Sequence, residues 1–208
     1  EGLERVKSLP GVRLASFIDS IPFAGFNVPP IAVPGRAEAP SVGGQLPFLT
    51  AATPEFLSIL GVRVLEGRAF VAADDRGAPV VLVNQTMARL VWPGEKAVGK
   101  CLRIGFDPGF DPSTFDPSSG PPMPSPASVC RQVVGVVADV RQRSVLPFDG
   151  EDRLMQYFVP FSQAPTPPFA PNPTRIRGLL VSVDEQVPGL ASAIRRAVVA
   201  GSADLPFL

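Results

Sequence analysis

The sequence has no histidine. That removes the commonest general base and the commonest metal ligand, and it makes a Ser-His-Asp triad impossible. It also has no surplus of either charge, because 19 Lys and Arg balance 19 Asp and Glu. A nucleic-acid surface needs a basic excess, so nucleic acid is excluded as a partner. No apolar run approaches the roughly 18 residues that a membrane helix requires, so the 208-residue chain is expected to be soluble as it stands. Phosphate-cradling loops are missing. Ser41-Val42-Gly43-Gly44 and Pro34-Gly35-Arg36 have the wrong spacing, and no Gly-x-Ser-x-Gly elbow occurs. The acids are scattered, which leaves little for a carboxylate-based hydrolase. We therefore expect no cofactor, no metal and no enzyme. No signal peptide is evident either. The chain opens inside a helix-like segment, EGLERVKSLPGV, with nothing before Glu1 to cap it, as expected of a piece of a longer protein.

Proline and glycine are abundant, at 26 and 19 residues, against an apolar fraction of 45%. This predicts a folded α+β domain with many irregular connections. Leu3, Val6 and Leu9 predict a first helix, ended by Pro10-Gly11. Residues 12–18 alternate as a strand. Residues 20–47 are expected to form a long surface loop, with a strand resuming near Gln45–Ala52. Thr53 and Pro54 predict a capped helix over 54–60 that buries Phe56, Ile59 and Leu60 and stops at Gly61. Val62–Leu65 reads as extended, and Glu66-Gly67-Arg68 as a turn. The run PVVLV at 79–83 predicts a strand buried on both faces. Asn84 is placed to cap a helix over 85–91 that turns Met87, Leu90 and Val91 inward. Residues 99–106 and 129–137 predict two strands of a hairpin. Between them, 107–128 is a low-complexity, Pro-rich tip expected to be disordered or extended. Further strands are expected at 154–159 and 177–183, separated by a Pro-rich stretch. A closing helix over 188–200 sets Leu190, Ile194, Ala197 and Val198 against Arg195 and Arg196.

Few residues offer chemistry. Cys101 and Cys130 sit at the roots of the two hairpin strands, where antiparallel neighbours come within bridging distance. A disulfide there would staple the tip and stabilise by about 3–4 kcal/mol; the alternative is two buried thiols. Asp74-Asp75-Arg76-Gly77 reads as a solvated turn rather than a metal or acid–base pair. Asp139 and Arg141 form an ion pair or an exposed strand end. Trp92 reads as a packed helix stop. Phe23, Phe26, Val28 and Ile31 are apolar residues on a Pro-rich loop. They either form a partner-docking surface or fold down onto the sheet.

Several motifs follow one another in a fixed order: ATPEFLSILGVRVLEGRAF, DDRGAPVVLVNQTMARLVWPGEKAVGKCLRIG, RQVVGVVADVRQ, YFVPFSQ and LLVSV. Together they resemble the MacB-like periplasmic core domain of ABC transporter permeases, closest to the acidobacterial duplicated-permease type. The resemblance spans about residues 1–205. It implies a porter-like α/β subdomain made from both chain ends, 1–48 and 150–208, with an inserted, mixed but mainly β second subdomain over 49–149. It also implies a non-catalytic domain at the periplasmic face of the bacterial inner membrane. Such a domain transmits conformational change, or docks a partner protein or substrate, during efflux or lipoprotein or peptide transport. The implied partners are the transmembrane remainder of the permease, a cytoplasmic ATPase on a separate domain or chain, and a further periplasmic protein. The alternative is a free-standing periplasmic binding module for a lipid or peptide. The family's usual first strand is absent, and the 107–128 insertion with its flanking cysteines departs from the pattern. The family motifs are scaffold motifs, so no catalytic or binding residue is carried over.

Overall fold

The computed structural model describes residues 2–21, 27–107, 110–114, 116, 123–141, 154–165, 178–184 and 187–200. In chain order the elements are α1 (Gly2–Lys7), β1 (Val12–Ile18), β2 (Ile31–Ala32), β3 (Phe48–Ala52), α2 (Phe56–Ile59) and β4 (Val64–Gly67). After them come β5 (Val80–Asn84), α3 (Gln85–Val91), β6 (Cys101–Ile104), β7 (Cys130–Val137), β8 (Gln156–Pro160), β9 (Gly178–Val183) and α4 (Leu190–Val199). Short 3-10 turns lie at Ala72–Asp75, Pro112–Thr114 and Phe161–Gln163.

Among the described residues, the nine strands form one mixed sheet. Its order is β2-β6-β7-β5-β8-β3-β1-β9, with β4 also paired to β7. Two pairings are parallel, β3 with β8 (Leu49 opposite Tyr157) and β5 with β7 (Val81 opposite Val133). The others are antiparallel, including the β6–β7 hairpin, the β5–β8 contact and the β1–β9 pair. Val134 is bulged out of the β5–β7 ladder, because Val81 faces Val133 while Leu82 faces Gly135. At this bulge the chain after β4 crosses very close. A Cβ on Gly67, whose φ is 70°, would stand 2.2 Å from the Val134 carbonyl oxygen, and one on Gly135 would stand 2.4 Å from that of Arg68. Only glycine allows this approach.

Both faces of the central strands are covered. On one face Val81, Val83, Leu102, Val133 and Tyr157 pack under Met87, Val91 and Trp92 of the α3 segment. On the other, Val80, Leu82, Val137 and Phe158 pack under Phe56 and Leu57 of α2. All five residues of β5 are buried, as the apolar run requires. Each large side chain so placed contributes about 1.5–3 kcal/mol. A third, smaller cluster lies at the β9 end of the sheet. Leu3, Val6 and Ala15 pack there with half-buried Leu179, Val181, Ile194, Ala197 and Val198.

Most predicted elements stand within a residue or two of their expected bounds, with these corrections. α2 is shorter and buries Phe56 and Leu57; Leu60 is exposed. Its N-cap position is Glu55 and carries no side-chain cap, and the Thr53 hydroxyl instead donates across to Ser16 Oγ at 2.9 Å. Leu90 of α3 points outward. The 20–47 loop is not wholly a surface loop, since Ile31, Ala32 and Val33 are buried and β2 extends the sheet beyond β6. The Pro-rich residues 166–177 lie outside the described residues, as do 108–109, 115 and 117–122 of the hairpin tip.

Candidate functional surfaces

The hairpin tip is the first candidate, and its root is rigidly built. Cys101 pairs in register with Gln132, and Arg103 with Cys130, so the two cysteines are diagonal neighbours across the hairpin. Their sulfurs are bonded at 1.99 Å with Cα atoms 5.6 Å apart. Just beyond the strands, the Asp107 carboxylate accepts from the Ser125 N–H at 3.0 Å and from the Ser128 hydroxyl. The Ser128 hydrogen bond lowers the Asp107 pKa from its ordinary value; partial burial opposes this and Ser125 adds to it. Arg103 Nε donates to the Ser128 carbonyl at 3.2 Å. Outside this root, the rings of Phe106 and Phe110 stand 4.9 Å apart. A sequence signal accompanies them. Phe-Asp-Pro occurs three times, at 106–108, 110–112 and 115–117, and residues 105–129 hold three Asp and no Lys, Arg or Glu. The repeat is visible in the sequence, yet a low-complexity reading passes over it.

The apolar loop is the second candidate, and its residues do not stay together. Val28 is 38% exposed, whereas Ile31 is 1% exposed. Ile31 cannot dock a partner, because β2 pairs it with Ile104 and sends its side chain into the main core. Phe23 and Phe26 lie outside the described residues. The loop is pinned where it is described. Asn27 Nδ2 donates to Asp19 at 2.8 Å, Asp19 accepts from the Ala51 N–H at 2.7 Å, and the Asn27 carbonyl accepts from Leu49 N–H at 2.8 Å.

Two polar groups singled out from sequence have partners within the fold. Asp74 is not a solvated turn residue. It is buried, and its two oxygens accept from Arg68 at 2.7 and 2.9 Å while the Val71 N–H donates at 2.8 Å. The Arg68 hydrogen bond lowers the Asp74 pKa from its ordinary value; burial opposes this, and the Val71 N–H adds to it. Beside it, Gln163 donates to the Asp74 carbonyl and accepts from the Val80 N–H and from Arg131. Asp139 is exposed just beyond the end of β7, one of the two readings its sequence offered. Its carboxylate accepts from the Thr86 N–H at 3.0 Å, the Thr86 hydroxyl at 2.9 Å and Asn84 Nδ2 at 2.6 Å.

Asn84 caps α3 as its position predicts, through the Met87 N–H at 2.9 Å, and it does more. Its oxygen also accepts from the Gln156 N–H at 2.9 Å, and its amide donates to Asp139 and to the Leu154 carbonyl. One buried side chain thus uses two donors and two acceptors. It joins the end of β5, the start of α3, the exit from β7 and the start of β8. Trp92 is buried in the main core, in keeping with a packed helix stop. A groove of about 480 Å³ opens between residues 36–41 and Leu90, Val91 and Met155. Among the described residues, no three His, Cys, Asp or Glu side chains gather as metal donors.

The fold has known counterparts. The periplasmic region of MacB from Actinobacillus actinomycetemcomitans superposes with a TM-score of 0.59 at 11% identity, over 97% of this chain and 72% of that one. The extracellular domain of the noncanonic ABC-type transporter YknZ from Gram-positive bacteria gives 0.56 at 12% identity, over 96% and 81%. At such identities the likeness shows the fold alone. No curated protein matches the chain. The sequence itself matches the model of the MacB-like periplasmic core domain over residues 9–197. That match spans the whole of the sheet together with α2 and α3, and the chain belongs to the MacB-like periplasmic core domain family.

Proposed function

We propose that this chain is the extracytoplasmic domain of an ABC-type permease, held at the periplasmic face of the inner membrane. It catalyses no reaction itself, and it passes conformational change to a partner protein or substrate outside the membrane. The transmembrane helices belong to the rest of the permease, and ATP is hydrolysed by a cytoplasmic subunit or domain. The observation that carries this reading is the meeting of α1 and α4. A Cβ on Gly2 would stand 4.0 Å from the Val198 carbonyl oxygen, and Arg5 Nε donates to the Ala197 carbonyl at 3.1 Å. A domain hung on two membrane segments needs its entering and leaving strands of chain at one place.

In this reading, residues 1–48 and 150–208 form the membrane-linked part and 49–149 the part that reaches away. The strands of both share one sheet, which gives a displacement of α1 and α4 a stiff path toward the β6–β7 hairpin. The gene on either side of the chain tests the proposal. Apolar segments of about 20 residues on both sides are expected. A signal peptide before Glu1 and a stop codon after Leu208 would overturn it, in favour of a free-standing periplasmic module that binds a lipid or peptide.

A further inference from the structure

The Cys101–Cys130 bond lies outside both packed layers. Along β6, Leu102 and Ile104 turn into the main core, while Cys101 and Arg103 alternate with them onto the opposite face. α2 shields that face over Val80, Leu82 and Val137, and neither cysteine takes part in that packing. Cys101 is half-buried, Cys130 is exposed, and Val129 beside it is 61% exposed. A thiol in solution can therefore reach the bond without any opening of the core. The hairpin does not depend on the bond for its pairing either. Leu102 stands opposite Arg131 and is fully buried, so β6 stays seated when the two sulfurs part. Beyond the strands the root of the tip is held by polar contacts. Arg103 donates to the Ser128 carbonyl, and Asp107 accepts from Ser125 and Ser128. Contacts of this kind open locally far more readily than a packed interior does.

We propose that this disulfide is a redox switch: a dithiol outside the membrane reduces it in the folded domain, and the root of the tip loosens while the sheet stays intact. A thiolate of the dithiol attacks the Cys130 sulfur. A bond forms between those two sulfurs, and Cys101 leaves as a thiolate and takes up a proton. The second thiolate of the dithiol then attacks the mixed disulfide and releases Cys130 in the same way. Two electrons and two protons pass to the cysteines, and the dithiol becomes a disulfide. In an oxidising compartment the bonded form is the resting one. Exposure places the bond among the labile disulfides rather than among those that resist reduction. Oxidised, the bond fixes Phe106, Asp107 and Phe110 at one place relative to the sheet; reduced, they are held by the root's own contacts. The setting outside the membrane rests on the reading above, whereas the exchange itself does not.

Two measurements on the full chain test it. The first is the rate of reduction by dithiothreitol, with free thiols trapped by iodoacetamide, at urea concentrations below the unfolding transition. Attack on the folded domain gives a rate that is first order in dithiothreitol and flat in urea. A rate that climbs with urea as steeply as the global unfolding constant would overturn the proposal, because the bond would then open only in the unfolded chain. The second is chymotrypsin cleavage after Phe106 and Phe110, located by mass, once the reductant has been removed. The reduced, alkylated chain should be cut there about tenfold faster than the oxidised one, since cleavage follows the population of the opened root. Phe56 and Phe158, buried in the centre, should remain uncut in the first products. The Cys101→Ser/Cys130→Ser pair should match the alkylated chain. Equal cleavage of the oxidised and reduced chains would sink the switch, and so would first cuts at Phe56 and Phe158, which mean loss of the whole fold. Faster cutting of the alkylated chain alone would sink it too, by assigning the effect to the added groups. The two readings fail separately. Missing apolar segments in the gene remove the tether and leave the exchange, whereas a bond that opens only on unfolding removes the switch and leaves the tether.

Discussion

Val80–Asn84 and Gly178–Val183 carry the same kind of sequence, VVLVN and GLLVSV, and both fold as strands. Every residue of β5 is buried, and none of β9 is. β5 lies between β7 and β8, with α2 over one face and α3 over the other. β9 pairs, among the described residues, with β1 alone, and α4 covers it with half-buried side chains. Composition therefore specifies a strand, and position in the sheet specifies what the strand is worth. The central region is a close-packed interior covered on both faces. The terminal layer is thinner, with a lower cost of local opening.

The comparison can be broken most directly from the centre. Leu82→Ala leaves a cavity under Phe56 and Phe158 and is expected to cost about 2–5 kcal/mol in denaturant melts. A cost near that of a surface change would mean that the centre is not the stable half. Replacing both Cys101 and Cys130 by Ser should cost about 3–4 kcal/mol, because the bridge acts on the unfolded chain. It should lower the protection of β5 and β9 amides against global unfolding together. A loss confined to the hairpin would show that the regions unfold separately.

Asp74→Asn weakens the Arg68 pair at the edge of the centre and should cost about 1–3 kcal/mol at neutral pH. The sign of its pH dependence follows from the lowered pKa of Asp74. Its contribution is present above the unfolded-state value of about 3.9 and is lost as pH falls through the lower folded-state value. The wild type should lose more stability than the variant on acidification below about pH 4, and parallel acid profiles would count against the pair. Smallest of all, Val181→Ala on β9 should cost about 1 kcal/mol, since its side chain is only half-buried. A larger cost there than for Leu82→Ala would reverse the ranking of the two regions.

The residues show where sequence reasoning reaches and where it stops. β1, β5, α3 and the Asn84 cap are legible because their signals are local: a period, an apolar run, a capping residue just before a helix. The β6–β7 hairpin and its disulfide are legible because strand pairing carries Cys101 to Cys130. Ile31 is left open in sequence between docking and folding onto the sheet, because its partner, Ile104, lies far along the chain and nothing near Ile31 announces it. Asp74 is misread for a similar reason. A turn-like DDRG is solvated unless an Arg68 folds back and a Gln163 arrives from beyond β8. Asp139 is exposed just past β7, one of the two readings left open in sequence, and what sequence could not show is its contact with Thr86 and Asn84, which lie far along the chain. The Phe-Asp-Pro repeat was in plain view, and its meaning depends on what the tip meets.

The parallel pairing of β3 with β8 has a consequence for how the chain is made. Leu49 must wait for Tyr157, and β1 must wait for β9. A chain delivered from its N-terminus therefore cannot complete its sheet as it emerges. Its first third stands with open strand edges until the last third arrives, and such non-local topologies fold slowly and are exposed to aggregation in the interval. The β6–β7 hairpin can close before the last third arrives, and oxidation of Cys101 with Cys130 can hold it as a finished piece in an unfinished domain. The vulnerable moment in the life of this protein is its arrival.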